Sequence, residues 1–146
     1  MCDVIDDADL GEPAKARLES FLERLLSAAG VRGDAELCVR VVEASEMQTL
    51  NRDWRGIDAP TDVLSFPAGG ADFPLPKDVL GDIVVCLPVV RKNAEERGAD
   101  MEDELRWAVT HGLLHLLGWD HPDDEALEKM EGRTFELLSI CCAEVA

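Results

Sequence analysis

Residues 111 to 121 read His111-Gly112-Leu113-Leu114-His115-Leu116-Leu117-Gly118-Trp119-Asp120-His121, and the rest of the chain can be read outward from them. All three histidines of the protein lie in this stretch. His111 and His115 are four positions apart, which on a helix puts both imidazoles on one face, about one turn from each other. Gly118 follows at a natural helix stop, because glycine enters the left-handed conformation without a Cβ penalty. A chain that turns back there brings His121 toward the same point. Three neutral imidazoles converging on one point predict a transition-metal site, with zinc the preferred ion, one per chain. The alternative is three unrelated surface or core histidines. It requires every histidine of the chain to fall within this one stretch by accident.

The spacing resembles the zinc helix of metzincin proteases, His-Glu-x-x-His-x-x-Gly-x-x-His. The histidines and Gly118 match, but Gly112 occupies the place of the glutamate that serves those enzymes as general base. The stretch therefore predicts a hydrolytic metal without ordinary metzincin proteolysis.

A chain of 146 residues is read as one domain, residues 1–146, large enough to bury a core. Hydrophobic residues make up 47% and charged residues 31%, a globular composition. Fourteen basic against 31 acidic residues leave a net charge of −17, which argues against a broad basic face for nucleic acid. The five cysteines are odd in number and contain no Cys-x-x-Cys, so neither a disulfide framework nor a thiolate zinc site is expected, and a reducing cytoplasm fits. The opening residues lack the basic start and apolar run of a signal peptide, and no apolar run is long enough to cross a membrane.

Hydrophobic periodicity predicts a helix over residues 13–29, with Leu18, Phe21, Leu22, Leu25, Leu26 and Ala29 as its buried stripe. Residues 36–42 read as a strand with Leu37, Val39 and Val41 on one face. Ser45 and Gln48 match a capping box that opens a short helix to about Arg52. Residues 54–60 read as a loop, 61–66 as a buried strand and 67–79 as a Pro/Gly-rich surface loop. A strand over 80–87 and a helix from Pro88 to Gly98 follow. Asp100 then caps the histidine helix, which runs to about Leu117 and is apolar nearly all round in its second half. A last helix starts near Asp123, with Leu127, Met130, Thr134, Leu137, Leu138 and Cys141 inward, and a further strand near Val4 is possible in this order. The expected fold is α+β: a small mixed sheet packed with helices, built around a central metal-bearing, metzincin-like helix.

Three further positions bear on chemistry. Arg55 can hold a phosphate bidentately, although by residue type alone it reads as a surface arginine. Asp62 reads as a cap or loop-orienting residue. Asp120 either supports a histidine ligand or caps a helix, with nothing to separate the two.

Taken together, Leu50-Asn51-x-x-Trp54-Arg55-Gly56, Pro60-Thr61-Asp62-Val63-Leu64-Ser65-Phe66-Pro67, Leu80-Gly81-Asp82-Ile83 and the histidine stretch resemble the YbeY family of single-strand endoribonucleases. The resemblance covers about residues 35 to 140. It implies that His111, His115 and His121 bind zinc and that Arg55 and His111 are catalytic. It implies maturation of ribosomal RNA, notably the 3′ end of the small-subunit RNA, and ribosome quality control. Implied partners are single-stranded ribosomal RNA, a small-subunit ribosomal protein and an Era-type GTPase. The chain departs from the family where Trp54 and Trp119 replace tyrosines, which loses a phenol hydroxyl, and where Thr134 stands four residues after Met130 in place of a glutamate. Two rival readings are a metallopeptidase-like amide hydrolase and a ribosome-assembly binding protein with structural zinc.

Overall fold

Alternating apolar residues in two parallel strands set the sheet at the centre of the molecule. The computed structural model describes residues 2–31, 35–68 and 79–143, and for residues 142 and 143 the backbone only. The elements are β1 (Cys2–Asp6), α1 (Glu12–Ala28), β2 (Glu36–Val42), α2 (Ala44–Arg55), β3 (Val63–Pro67), β4 (Val79–Cys86), α3 (Leu87–Arg97), α4 (Met101–Leu116) and α5 (Asp124–Ala143). The four strands form one mixed sheet in the order β1-β2-β4-β3. β1 and β4 flank β2 in parallel, and β3 pairs antiparallel with β4 along the far edge. The α+β class and mixed sheet expected from the sequence are therefore present, and the strand near Val4 exists as the parallel edge strand β1.

The two faces of the sheet bury different residues. Leu37, Val39 and Val41 of β2 and Ile83 and Val85 of β4 point into the main core with α1, α4 and α5. Val42, Val84 and Cys86 point the other way and meet Met47 of α2 and Leu64 of β3. This is the period-2 alternation of a strand covered on both sides. The expected stripe of α1 is buried from Leu18 through Leu26, and Met130, Thr134, Leu137 and Cys141 of α5 are buried as its pattern requires.

Several sequence boundaries shift. Helix α2 begins at Ala44 with Glu43 as N-cap, so Ser45 lies inside the first turn and no capping box forms. The Gln48 side chain instead donates to Asp58 Oδ1 at 3.0 Å. Helix α2 also runs on to Arg55, which places Trp54 and Arg55 on the helix and not in the following loop. The extension is closed by Gly56 N–H on Arg52 O and Ile57 N–H on Asn51 O. β3 starts at Val63 and includes Pro67, and of the expected 67–79 loop positions 69–78 lie outside the described residues. Among the described residues no helix is long and apolar enough to cross a membrane.

The turn from β1 into α1 is organised by one carboxylate. Asp6 accepts the N–H groups of Ala8, Leu10 and Gly11 at 2.9–3.2 Å. Burial pushes its carboxyl up, but the three N–H donors outweigh burial and hold it below the ordinary carboxylate value. Asp6→Ala is expected to destabilise the fold by about 1 kcal/mol at neutral pH. A depressed folded-state pKa gives stability that is complete above the unfolded value and lost as pH falls through the folded one. Urea melts of wild type and Asp6→Ala should differ at pH 7 and converge in strong acid; a gap that stays constant into acid would show that the carboxylate charge contributes nothing.

Candidate metal centre

Helix α4 carries the centre. Asp100 caps it by accepting Glu102 N–H at 2.8 Å, as the sequence predicts, and Glu102, Asp103 and Glu104 place acidic charge in its first turn. Its second half is buried at Ala108, Val109, Thr110, Gly112, Leu113 and Leu114, so the helix is central as expected. It lies unusually close to the sheet at Gly112. A Cβ there would stand 3.0 Å from Ile83 Cγ2, 3.1 Å from Ser65 Oγ and 3.2 Å from Val63 Cγ2. Ser65 Oγ donates to Gly112 O at 2.8 Å and ties β3 to the helix one residue after His111.

The end of α4 shapes the third corner. Gly118 (φ +99°) reverses the chain, with its N–H on His115 O and the Trp119 N–H on Leu114 O. This pair of bonds is a Schellman closure. It turns the Trp119 carbonyl back to within 3.0 Å of His115 Nδ1. A proton on Nδ1 that binds this carbonyl leaves the Nε2 lone pair facing the centre, the arrangement of a metal-ligating histidine. Asp120 Oδ1 accepts the His121 N–H at 2.8 Å, fixing the last step before the third imidazole. This bond matches neither role read for Asp120 in the sequence, since it falls on the His121 backbone and not on an imidazole or a helix end.

The ligand atoms of His111, His115 and His121 lie within 4.8 Å of one another. His111 Nε2 and His115 Nε2 are 3.1 Å apart. Two imidazole lone pairs that close repel unless a proton or cation lies between them. The edge of a tetrahedron of nitrogens around zinc is about 3.3 Å, from bonds of about 2.0–2.1 Å. The donor set and its spacing therefore fit a metal ion. Burial lowers the pKa values of His111 and His115, and repulsion from His115 and His121 at His111, and from His121 at His115, acts in the same direction. Asp62 opposes this at His111, and the Trp119 carbonyl and Asp120 oppose it at His115. The neutral, ligand-ready form is favoured at both.

All the sequence candidates come to one cleft of about 450 Å³. Arg55, from the end of α2, and Thr61 and Asp62, from the turn just before β3, line it together with His111, His115, Asp120 and His121. Arg55 is solvent-exposed, and its charge helps to depress the His115 pKa. Asp62 Oδ1 accepts Val63 N–H at 2.9 Å and Asp62 O accepts Cys86 N–H at 2.8 Å, so it has the structural role read from the sequence and also faces the cleft. Asn51, Ser65 and Trp107 were missed as cleft residues. Asn51 is buried, and its Nδ2 donates to Ala59 O at 2.8 Å, anchoring the loop beyond Arg55. Its signals were a polar residue at a buried helical position and its place in the Leu50-Asn51-x-x-Trp54-Arg55-Gly56 motif. Trp54 and Trp119 are exposed; Trp54 meets Phe66 edge-on at 5.8 Å. Thr134 is fully buried, and its hydroxyl donates to Met130 O at 2.9 Å, so the position is satisfied without a carboxylate.

The comparisons with known proteins agree with this geometry. The family model described as Endoribonuclease YbeY matches residues 5–141. Endoribonuclease YbeY of Alkalilimnicola ehrlichii is 46% identical over 132 residues, covering 88% of this chain and 78% of that one. Endoribonuclease YbeY of Halorhodospira halophila is 42% identical over 137 residues, covering 90% and 86%. A solution structure of a Thermotoga maritima protein superposes with a TM-score of 0.69 at 32% identity, covering 99% of this chain and 91% of that one.

The contact at Gly112 gives a direct test. Its Cβ direction faces Ile83, Ser65 and Val63, so a glutamate placed there is driven into the sheet. Gly112→Glu is expected to lose at least about 2 kcal/mol of stability, the cost of overpacking plus a buried charge, and to gain no peptidase activity. Thermal melting and a casein assay check this; a stable, proteolytic variant would show that the position opens to the cleft.

Proposed function

The chain belongs to the Endoribonuclease YbeY family, and from that membership we propose that it is a zinc-dependent, single-strand-specific endoribonuclease acting in ribosomal RNA maturation. The observation that carries the reading is the convergence of three imidazoles and Arg55 on one open cleft. We assign His111, His115 and His121 as the ligands of one zinc ion in a single metal-dependent hydrolase domain spanning residues 1–146. Among the described residues the cluster has three protein donors, the number that leaves a coordination position for substrate or water. When bound, the ion supplies a Lewis acid that polarises a phosphoryl oxygen and lowers the pKa of water toward neutrality.

The remaining work falls to the chain. Arg55 binds the scissile phosphate through its fork of N–H donors and neutralises charge that develops on the phosphoryl oxygens. His111 is catalytic through the ion it holds. The Trp119 carbonyl and Asp120 keep His115 and His121 aimed at the centre. Gly112 speaks against the amide-hydrolase reading, because the place of the protease base is taken up by helix–sheet packing. The three-donor cluster speaks against a closed structural zinc site.

The site would process the 3′ end of the small-subunit RNA and serve ribosome quality control. A net charge of −17 gives little long-range attraction to RNA, so delivery by a small-subunit ribosomal protein and an Era-type GTPase fits the chain's electrostatics. Cys2, Cys38 and Cys86 carry no disulfide, in keeping with a cytoplasmic location.

Two outcomes are expected. Purified protein should hold about one zinc per chain by elemental analysis, with X-ray absorption reporting imidazole nitrogens, and His111→Ala/His115→Ala should lose it. Unchanged metal content in the double variant would end the assignment. Arg55→Ala should keep zinc and melting temperature while single-stranded RNA cleavage falls by about 10²–10³, and Arg55→Lys should recover only part of the loss. Wild-type cleavage by Arg55→Ala removes the arginine from the mechanism.

A further inference from the structure

Outside the cleft, a second concavity of about 620 Å³ lies along the seam of α4 and α5 beside the end of α3. Its apolar surface includes Trp107 and Phe135, which meet edge-to-face with centroids 4.9 Å apart. Phe135 is 63% exposed. Trp107 also lines the metal cleft, so one side chain borders both concavities. It precedes His111 by four positions, which puts it on the same face of α4, about 6 Å along the axis.

Both arginines of the seam are paired: Arg97 bonds Glu104 and Arg106 bonds Asp103, while Glu131 adds a further carboxylate. Among the described residues the seam holds no further cation to grip a phosphate. The rings are what the seam offers. Every nucleobase has a π-face, and stacking on an aromatic side chain is how single strands are held without sequence readout.

Resting on the reading of the cleft as the site of RNA cleavage, we propose that Trp107 and Phe135 form a nucleobase-stacking subsite that holds the substrate strand beside the scissile phosphate. The edge-to-face pair keeps the exposed ring from rotating freely, so a base docks on a plane already fixed by packing. The subsite selects single strands, because a base paired and stacked in a duplex cannot present its face.

The test reads binding, so that it does not depend on turnover. A labelled 2′-O-methyl RNA dodecamer, and versions of it abasic at successive positions, are titrated by fluorescence anisotropy against wild type, Phe135→Ala, Trp107→Phe and Ile140→Ala. Wild type should lose about tenfold in affinity at one abasic position, the scale of one base–aromatic stack. Phe135→Ala should bind the intact strand about tenfold more weakly, show no further loss at that position, and melt like wild type. Trp107→Phe keeps an aromatic plane and should retain most of the affinity. Ile140 is exposed on the same helix but outside the seam, and Ile140→Ala should bind as wild type does. The proposal is overturned if Phe135→Ala binds the intact strand like wild type or keeps the abasic profile. It is equally overturned if Phe135→Ala retains RNA but loses binding of a basic ribosomal-protein peptide, which would make the seam a protein dock. Base-dependent binding of the 2′-O-methyl strand, with no cleavage of the unmodified RNA of the same sequence by the zinc-loaded protein, would leave the subsite standing and refute the endoribonuclease reading instead.

Discussion

The close approach of α4 to the sheet at Gly112 is the constraint on which the rest of the centre depends. With no side chain at that position, the helix settles against Ile83 and Val63, and Ser65 bonds its backbone from β3. Both contacts fall beside His111. The first ligand is therefore placed by packing against the sheet, where β3 pairs with β4 and Ser65 faces Ile83. A ligand held in this way keeps its orientation without a dedicated hydrogen bond, and among the described residues the only bond found for the His111 ring is to His115.

The other two ligands are placed by the way the helix ends. The reversal at Gly118 serves three purposes in three residues. It satisfies terminal carbonyls of α4, it delivers the Trp119 carbonyl to His115, and it returns the chain so that Asp120 can set His121. Here the satisfaction of backbone polar groups, which any helix end requires, is the same event as the building of the site. His111 and His115 favour their neutral forms, because burial and the neighbouring imidazoles disfavour charge there.

The electrostatics of the molecule divide into two scales. At long range a charge of −17 repels a polyanion. At short range Arg55, at the mouth of the cleft, and the histidine cluster present positive or cation-binding groups to whatever enters. Attraction is thus confined to the cleft, and the adjoining seam supplies ring surface with both of its arginines paired. Such a surface discriminates by fit at contact more than by encounter rate.

The sequence by itself determined the elements that are set locally. The spacing of His111, His115, Gly118 and His121 follows from helix period and glycine conformation, and the α+β order follows from period-2 and period-3.6 burial, so both were legible without a structure. Asp100 as the cap of α4 was legible for the same reason. The motifs shared with the YbeY family were legible as well, and the family match covers nearly the whole chain. What only the tertiary structure decided is which distant residues meet. Arg55 joins the cleft because α2 continues through it to a cap at Gly56, where the sequence pattern indicated a loop. The Ser45–Gln48 capping match failed because the helix starts earlier and Gln48 finds Asp58 instead. Asn51, Ser65 and Trp107 carry no periodic signal of function, since their partners lie on other elements or in loops that fold back. A sequence pattern reports only which face a residue shows; what that face touches is decided when the layers pack.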